Sequence, residues 1–208
     1  MLSNVQKRSL EKSTLQYGTH LEEAEEYLKA RAIGLEVARS VGLGVVRDPL
    51  PGHEGLEGRL AIPYLTDYGP VNMTFRCLRD HHCKSSGCPK YILWSGLEAN
   101  IYSIQSLKYA SDWIAVTEGE IDALSMNIAG VPCVGISGAG KWKDHWNNVF
   151  EDFTRVYVIQ EGDDAGKKFA DMLVREVSAI RVKLPAGEDS NSLLVKYGPE
   201  ALKARIRL

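Results

Sequence analysis

The chain contains 208 residues, of which 44% are hydrophobic and 25% are charged, and its formal net charge is −2. These values are typical of a folded globular protein with one large or two small domains, and they give no overall sign of a nucleic-acid partner. No apolar run reaches the roughly 18 residues that a membrane-spanning helix requires, and the N-terminal residues lack the apolar core of a signal peptide. The composition therefore predicts a cytoplasmic protein that does not enter a membrane.

The N-terminal part begins with polar sequence and short helical patterns. Residues 1–18 show no hydrophobic periodicity, so we expect a flexible N-terminus that is either frayed or a weak helix. Thr19 is suited to cap a helix that ends at Gly34, because acidic residues follow it in the first turn and apolar residues recur at helical spacing. A second short helix is predicted over residues 35–41.

A β pattern follows these helices. Residues 59–65 and 71–77 flank a four-residue turn that contains glycine, which predicts an antiparallel hairpin. A polar loop over residues 78–88 leads to an extended segment at 89–94. The chain then turns helical over residues 101–110.

Six basic residues with few acids among them occur in this region: Arg59, Arg76, Arg79, Lys84, Lys90 and Lys108. They would form a basic face if the fold gathers them on one side of the molecule. They would be an ordinary solvated surface if the fold scatters them. The composition does not decide between these two interpretations.

Three of the four cysteines lie close together in or beside the polar loop. Cys77, Cys83 and Cys88 enclose His81 and His82, which are ligand types that zinc accepts. The spacing is not a regular pair of Cys-x-x-Cys motifs, so free thiols in a polar loop are the alternative to a Zn²⁺ site. A disulfide framework is not expected in a cytoplasmic chain of this size.

The C-terminal half alternates between strand and helix patterns. Strands are predicted at 114–117, 132–136, 155–160 and 180–184, and helices at 121–129, 143–150, 165–178 and 199–206. This alternation predicts an α/β fold with a mostly parallel sheet flanked by helices. Cys133 lies in the apolar second strand and is expected to be a buried core residue.

Acidic residues follow the first, third and fourth predicted strands of this half. They are Glu118, Glu120 and Asp122 after the first strand, Glu161, Asp163 and Asp164 after the third, and Asp189 beyond the fourth. Ligands of open α/β sheets bind at the carboxyl ends of parallel strands, so these carboxylates are expected to share one crevice. Crowded carboxylates repel one another unless a hard divalent cation lies between them, which predicts a Mg²⁺ or Mn²⁺ site.

The segment from residue 111 to 208 resembles the Toprim domain, a metal-binding fold found in primases, topoisomerases and some nucleases. The likeness rests on Glu118 at the end of a strand and on Glu161-Gly-Asp163 followed by Asp-Ala-Gly. The resemblance implies that Glu118 serves as general acid/base or metal ligand, and that Glu161 and Asp163 bind magnesium. Glu161 stands where the family usually has aspartate, and its longer side chain moves the oxygen by about one bond length.

Further positions match the family around the metals. The implied ligands therefore also include Asp122 and Asp189, whereas Asn191 replaces a usual second acid and would bring no charge to a second metal. The loop containing Gly138 and Gly140 lacks a complete phosphate-loop pattern. Its glycines are expected to let the backbone approach a nucleotide phosphate.

The N-terminal half resembles the module that opens the catalytic core of DnaG-type bacterial and phage primases. The matching stretches are residues 27–33, 41–44, 58–64, 89–91 and 100–102. The implied organisation is a flexible segment 1–18, a smaller mixed α+β DNA-binding module 19–110 and a Toprim catalytic domain 111–208. Basic residues of that module imply nucleic-acid contacts for Arg76 and Lys90, with Arg59 as a third.

The implied activity is synthesis of short RNA primers on single-stranded DNA from ribonucleoside triphosphates, with two Mg²⁺ or Mn²⁺ ions. A replicative helicase is a partner that such primases imply. A Toprim nuclease is the main alternative, because the same acids can assist attack by water. A non-catalytic nucleotide- or DNA-binding accessory subunit is the third interpretation, and metal-dependent catalysis separates it from both enzymes.

Overall fold

The computed structural model describes residues 2–81, 83 and 85–206, and it divides the chain into two compact units, Met1–Asn100 and Ile101–Leu208. The boundary lies ten residues before the predicted one. The reason is that Tyr102 already belongs to the second unit, where it exchanges two backbone hydrogen bonds of 2.8 and 3.0 Å with Gly135. Within the described residues, no helix is both long and apolar enough to span a bilayer.

In its described residues, the first unit is a four-stranded antiparallel sheet with three α-helices. Its helices are α1 (Asn4–Gly18), α2 (Glu25–Lys29) and α3 (Leu35–Ser40), and its strands are β1 (Gly44–Val45), β2 (Leu60–Thr66), β3 (Gly69–Arg76) and β4 (Tyr91–Leu93). The strands lie in the order β1-β2-β3-β4, and β2 and β3 form the predicted hairpin through the Thr66–Gly69 pair. The predicted helix from Thr19 is broken into a 3₁₀ turn at Leu21–Ala24 and the short α2.

The prediction of a flexible N-terminus is wrong. Ser3 and Gln6 form a reciprocal capping box at the start of α1, which satisfies two backbone amides. Leu10, Ser13 and Tyr17 are fully buried along one side of this helix. These three are the only buried residues of the fifteen-residue helix. The hydrophobic periodicity of the segment is therefore weak, even though the helix packs on the sheet.

The second unit is a parallel sheet flanked by helices. Its strands are β5 (Trp113–Thr117), β6 (Cys133–Gly135), β7 (Arg155–Gln160) and β8 (Ile180–Lys183), and its helices are α4 (Glu120–Ile128), α5 (Asn147–Phe150), α6 (Asp164–Val177), α7 (Ser190–Tyr197) and α8 (Pro199–Lys203). The strands lie in the order β6-β5-β7-β8, and every pair is parallel. The α/β prediction is confirmed, whereas α7 was not predicted.

Three observations show where the core of the second unit lies and which edge of its sheet the following residues reach. Ile114, Ala115 and Val116 of β5 are fully buried, as expected for a strand covered on both faces. Cys133 of β6 is also fully buried, which confirms its predicted place in the core. Since β5 and β7 are neighbours in parallel register, the residues that follow them leave the sheet at the same edge.

The contact between α1 and β1 generates a test of the ordered N-terminus. A Cβ atom at Gly44 would lie 2.2 Å from the carbonyl carbon of Tyr17, whereas a Cβ atom at Gly18 would meet nothing within 4 Å. We expect Gly44→Ala to lower the free energy of unfolding by roughly 3 kcal/mol or more, because backbone would have to separate from backbone. Gly18→Ala should change it little. Equal urea midpoints for both variants would show that α1 does not pack on β1.

Candidate active site

Five acidic side chains are carried to one edge of the parallel sheet. Glu118 and Glu161 are the first residues beyond β5 and β7, and Asp163 caps the N-terminus of α6. Asp122 lies in the first turn of α4, and Asp189 caps the N-terminus of α7. The fold therefore brings together the five acidic residues that the family resemblance assigned to the metals, whereas Glu120 is buried and accepts a hydrogen bond from Ser137 instead.

The electrostatics of Glu161 show how closely these acids interact. Burial, followed by the negative charges of Asp122, Asp189, Glu118 and Asp163, raises the pKa of Glu161 to about 7. Burial and the charge of Asp163 also raise the pKa of Glu118. Both shifts have the sign expected when a carboxylate loses water and gains like-charged neighbours. The five carboxylates thus share one partly desolvated crevice.

The crevice is wider than a cage for one small ion. Among the described residues, no three of its carboxylates offer oxygens that all lie within 4.8 Å of one another. Hard cations such as Mg²⁺ keep several water ligands and take only one or two carboxylates each from a protein. A spread of acids over the ends of two strands and three helices matches that requirement better than a closed shell does.

Gly166 explains the spacing of the motif after β7. A Cβ atom at this position would lie 2.8 Å from the carbonyl oxygen of Glu161 and 3.0 Å from its amide nitrogen. Only glycine therefore allows the first turn of α6 to pack against Glu161. The amide of Gly166 also donates a 2.7 Å hydrogen bond to Oδ1 of Asp163, which fixes this carboxylate as the helix cap.

The two glycines of the loop after β6 lie in different surroundings. Gly138 has a φ of 83°, a conformation that favours glycine, and a Cβ atom there would lie 3.6 Å from Oε1 of Glu118. This places Gly138 beside the carboxylate crevice. Gly140 is exposed, and a Cβ atom there would meet nothing within 4 Å.

Asn191 has a positioning role that the sequence analysis missed. Its backbone amide donates to Oδ1 of Asp122 at 3.1 Å, and its side-chain amide donates to the hydroxyl of Ser125 at 2.9 Å. The residue is 4% exposed, so it ties α7 to α4 beneath the crevice. The capping box of Asp189 and Ser192 is the sequence signal that could have located α7.

The basic residues predicted to bind nucleic acid lie in the first unit and differ in exposure. Lys90 is exposed, with its Nζ 5.9 Å from the centre of the Tyr91 ring. The guanidinium of Arg76 lies 4.9 Å from the Tyr91 ring and 5.3 Å from the Tyr27 ring, and it donates to the Tyr91 hydroxyl. Arg76 is 7% exposed, so only a small part of it reaches a surface.

Arg59 does not lie on the basic surface that was expected of it. It is 9% exposed and donates to the carbonyl oxygen of Pro89 at 2.9 Å and to Sγ of Cys88 at 3.3 Å. The reason is that the neighbouring Leu60 pairs with Arg76 at the end of β3, which brings Arg59 next to the loop that joins β3 to β4. The structure therefore gives Arg59 a role in holding this loop.

The cysteines of that loop converge with one histidine. Cys77, His81, Cys83 and Cys88 each offer a ligand atom, and these four atoms lie within 4.8 Å of one another. No disulfide joins these cysteines. His82, the other histidine of the predicted set, lies outside the described residues.

Comparison with known proteins identifies relatives of the chain. A family model described as Toprim-like matches residues 115–194. The gene 57 protein of Mycobacterium phage D29 is 35% identical over 150 residues, which are 72% of this chain and 98% of that protein. The DNA primase of Pseudomonas aeruginosa is 26% identical over an alignment that covers 88% of this chain but 34% of the primase. The chain thus spans about a third of that primase's length.

Solved structures show the same architecture. The Aquifex aeolicus primase, with its zinc-binding and RNA polymerase domains, superposes with a TM-score of 0.80 at 22% identity, over 98% of this chain and 61% of that one. The RNA polymerase domain of Mycobacterium tuberculosis DnaG superposes with a TM-score of 0.76 at 19% identity, over 99% of this chain and 84% of that one. A DnaG catalytic domain bound to single-stranded DNA superposes with a TM-score of 0.73 at 20% identity, over 97% of this chain and 79% of that one. The chain therefore belongs to the Toprim-like proteins related to the phage D29 gene 57 protein, and it has the fold of a DnaG-type primase catalytic core.

Proposed function

We propose that this chain is a primase catalytic core that joins ribonucleoside triphosphates into a short RNA primer on single-stranded DNA. The observation that carries the proposal is the crevice of five carboxylates at the carboxyl edge of the Toprim-like sheet. Burial, followed by repulsion from the four other carboxylates, raises the pKa of Glu161 to about 7. Binding of divalent cations relieves such repulsion, and nucleotidyl transfer is a reaction in which such ions act.

The residues fit Mg²⁺ or Mn²⁺ because their donor atoms are carboxylate oxygens. Those that would hold two ions are Glu118, Asp122, Glu161, Asp163 and Asp189. Bound ions would make the primer 3′-hydroxyl more acidic and offset the charge of the triphosphate. Asn191 orients one of these acids, because its backbone amide donates to Oδ1 of Asp122, and its side-chain nitrogen is held by the hydroxyl of Ser125.

The chain itself supplies proton transfer and positioning. Glu118 is half-buried with a raised pKa, which suits it to accept the proton of the 3′-hydroxyl at neutral pH. Asp163 is fixed by its hydrogen bond to Gly166, so it needs little rearrangement when a nucleotide binds. Gly138 leaves room beside Glu118 for the backbone to approach a phosphate.

Nucleic-acid binding is assigned to the first unit. Lys90 and the accessible edge of Arg76 would contact phosphates of the template or of the incoming triphosphate. The partners proposed are single-stranded DNA, ribonucleoside triphosphates and a replicative helicase. The related catalytic domain bound to single-stranded DNA supports the first of these.

The assignment of Asp163 can be tested without loss of the helix cap. Asparagine caps helices as well as aspartate does, so Asp163→Asn removes the charge and keeps the hydrogen bond to Gly166. We expect it to lower the rate of primer synthesis by roughly 100-fold or more. The assay contains single-stranded DNA, labelled ribonucleotides and Mg²⁺ or Mn²⁺, with products resolved on a denaturing gel.

Asp164→Asn is the matched control for this experiment, because Asp164 is the next residue, is exposed and lies in the same helical turn. It should prime at the rate of the unmodified protein. Normal priming by Asp163→Asn would sink the proposal. Shortened DNA without RNA would instead indicate the nuclease, and the absence of either product with both metals would favour a non-catalytic subunit.

The raised pKa of Glu161 predicts a pH-dependent stability. Between its ordinary value of 4.5 and about 7, the folded state binds a proton that the unfolded state lacks. The metal-free protein should therefore lose stability as pH rises through this window. In thermal unfolding, Glu161→Gln should flatten this dependence and unfold several degrees higher than the unmodified protein at pH 8.

Metal binding should oppose this loss of stability at high pH, because the cation and the proton compete for Glu161. We expect Mg²⁺ to raise the unfolding temperature of the unmodified protein more at pH 8 than at pH 6, and to raise that of Glu161→Gln less. Glu151→Gln is the control, since Glu151 is an exposed residue of the same unit. The same pH and Mg²⁺ dependence in Glu161→Gln and Glu151→Gln would refute the role of Glu161.

A further inference from the structure

The connection between β3 and β4 gathers a second set of metal-binding side chains that the proposed reaction does not use. Cys77, His81, Cys83 and Cys88 supply three sulfurs and one imidazole nitrogen, all within 4.8 Å of one another. Soft thiolates with imidazole select Zn²⁺ over Mg²⁺ and Mn²⁺, which prefer oxygen. This set therefore differs in kind from the carboxylate crevice.

The distances within the set agree with tetrahedral zinc. Zinc–sulfur bonds of about 2.3 Å and zinc–nitrogen bonds of about 2.0–2.1 Å place two sulfurs about 3.8 Å apart, and a sulfur and a nitrogen about 3.6 Å apart. The Sγ atoms of Cys77 and Cys88 are 3.6 Å apart, and Sγ of Cys77 lies 3.6 Å from Nε2 of His81. A disulfide, at about 2.05 Å, is not formed.

The backbone holds these ligands in place by short-range bonds. Cys77 is the first residue beyond β3, and its amide donates to the carbonyl of Lys90 at 2.9 Å, so it continues the β3–β4 ladder. The amide of Cys88 donates to the carbonyl of Cys83 at 3.0 Å, so a backbone hydrogen bond joins these two ligands. One ligand therefore lies at a strand end, and the other three lie in the loop that follows it.

Arg59 provides an independent observation. Its nearly buried guanidinium donates to Sγ of Cys88 at 3.3 Å and to the carbonyl of Pro89 at 2.9 Å. A zinc ion with three thiolates and a neutral imidazole carries a net charge of −1, and a buried cation beside it offsets that charge. Hydrogen bonds from outside the ligand shell also orient metal ligands.

We infer that Cys77, His81, Cys83 and Cys88 bind one structural Zn²⁺ ion, and that Arg59 supports this site by balancing its charge. The ion would cross-link four residues of the connection between β3 and β4. This connection also carries Arg79 and Lys90 along a cavity of about 880 Å³ that Arg31 and Arg76 line as well. The site would thus hold basic residues of the first unit in a fixed arrangement.

The first experiment measures metal content in the full chain purified without chelator and with zinc in the growth medium. We expect about one zinc per chain by mass spectrometry, and release of that zinc when a mercurial reagent titrates the thiols. After exchange with Co²⁺, the protein should show the strong visible bands of tetrahedral cobalt and a thiolate-to-cobalt charge-transfer band. None of these readouts depends on primer synthesis.

Cys83→Ser and His81→Ala should each lose most of the bound zinc and the tetrahedral cobalt spectrum. Cys133→Ala is the matched control, because Cys133 is a buried cysteine of the second unit outside the set, and it should retain both. Circular dichroism establishes that each variant is folded. An unmodified protein that binds no zinc, or a Cys83→Ser variant with full zinc content and an unchanged cobalt spectrum, would overturn the site.

The role of Arg59 has its own test. Competition with a chelator should show that Arg59→Met lowers zinc affinity by roughly 10-fold or more while the tetrahedral cobalt spectrum remains. Arg59→Lys keeps the charge and should recover part of that affinity. Unchanged zinc affinity in Arg59→Met would remove Arg59 from the proposal.

Discussion

Repulsion among carboxylates at one edge of a parallel sheet is the constraint on which the second unit depends. Glu161 experiences burial and four negative neighbours together, and its pKa rises to about 7 as a result. Such a group lowers the stability of the metal-free fold at neutral pH, because its charged form is disfavoured there. The surrounding structure must therefore hold the carboxylates together against their mutual repulsion. Binding of a proton or a cation would reduce that repulsion.

The chain meets this constraint with short, local devices. Asp163 and Asp189 are helix caps, so their carboxylates are fixed by backbone amides of α6 and α7. Gly166 allows α6 to start directly against Glu161. Asn191 joins α7 to Asp122 from below the crevice. Three of the five carboxylates are thus held by backbone amides, which suits a reaction that depends on placement and charge stabilisation.

The two units use opposite ligand chemistry for different purposes. In the proposed function, the second unit presents hard oxygen ligands in an open crevice, where exchangeable ions would act on a substrate. The first unit presents sulfur and nitrogen in a compact loop, where an ion would be structural. Arg59 and Arg76 are nearly buried in the first unit, so their side chains serve packing and hydrogen bonding as well as charge.

The sequence by itself determined the hairpin, the alternating α/β half and the five acids, because these follow from period-2 patterns, regular alternation and strand ends. It did not reveal α1, whose line of buried residues is too narrow to show as periodicity, or α7, whose signal is a single capping box. It also placed Arg59 on a surface. Only the tertiary structure decided that Arg59 turns inward to Cys88, that Asn191 supports Asp122, and that one histidine meets three cysteines. The reason is that the first two contacts join residues far apart in the chain, and the third depends on how a loop folds.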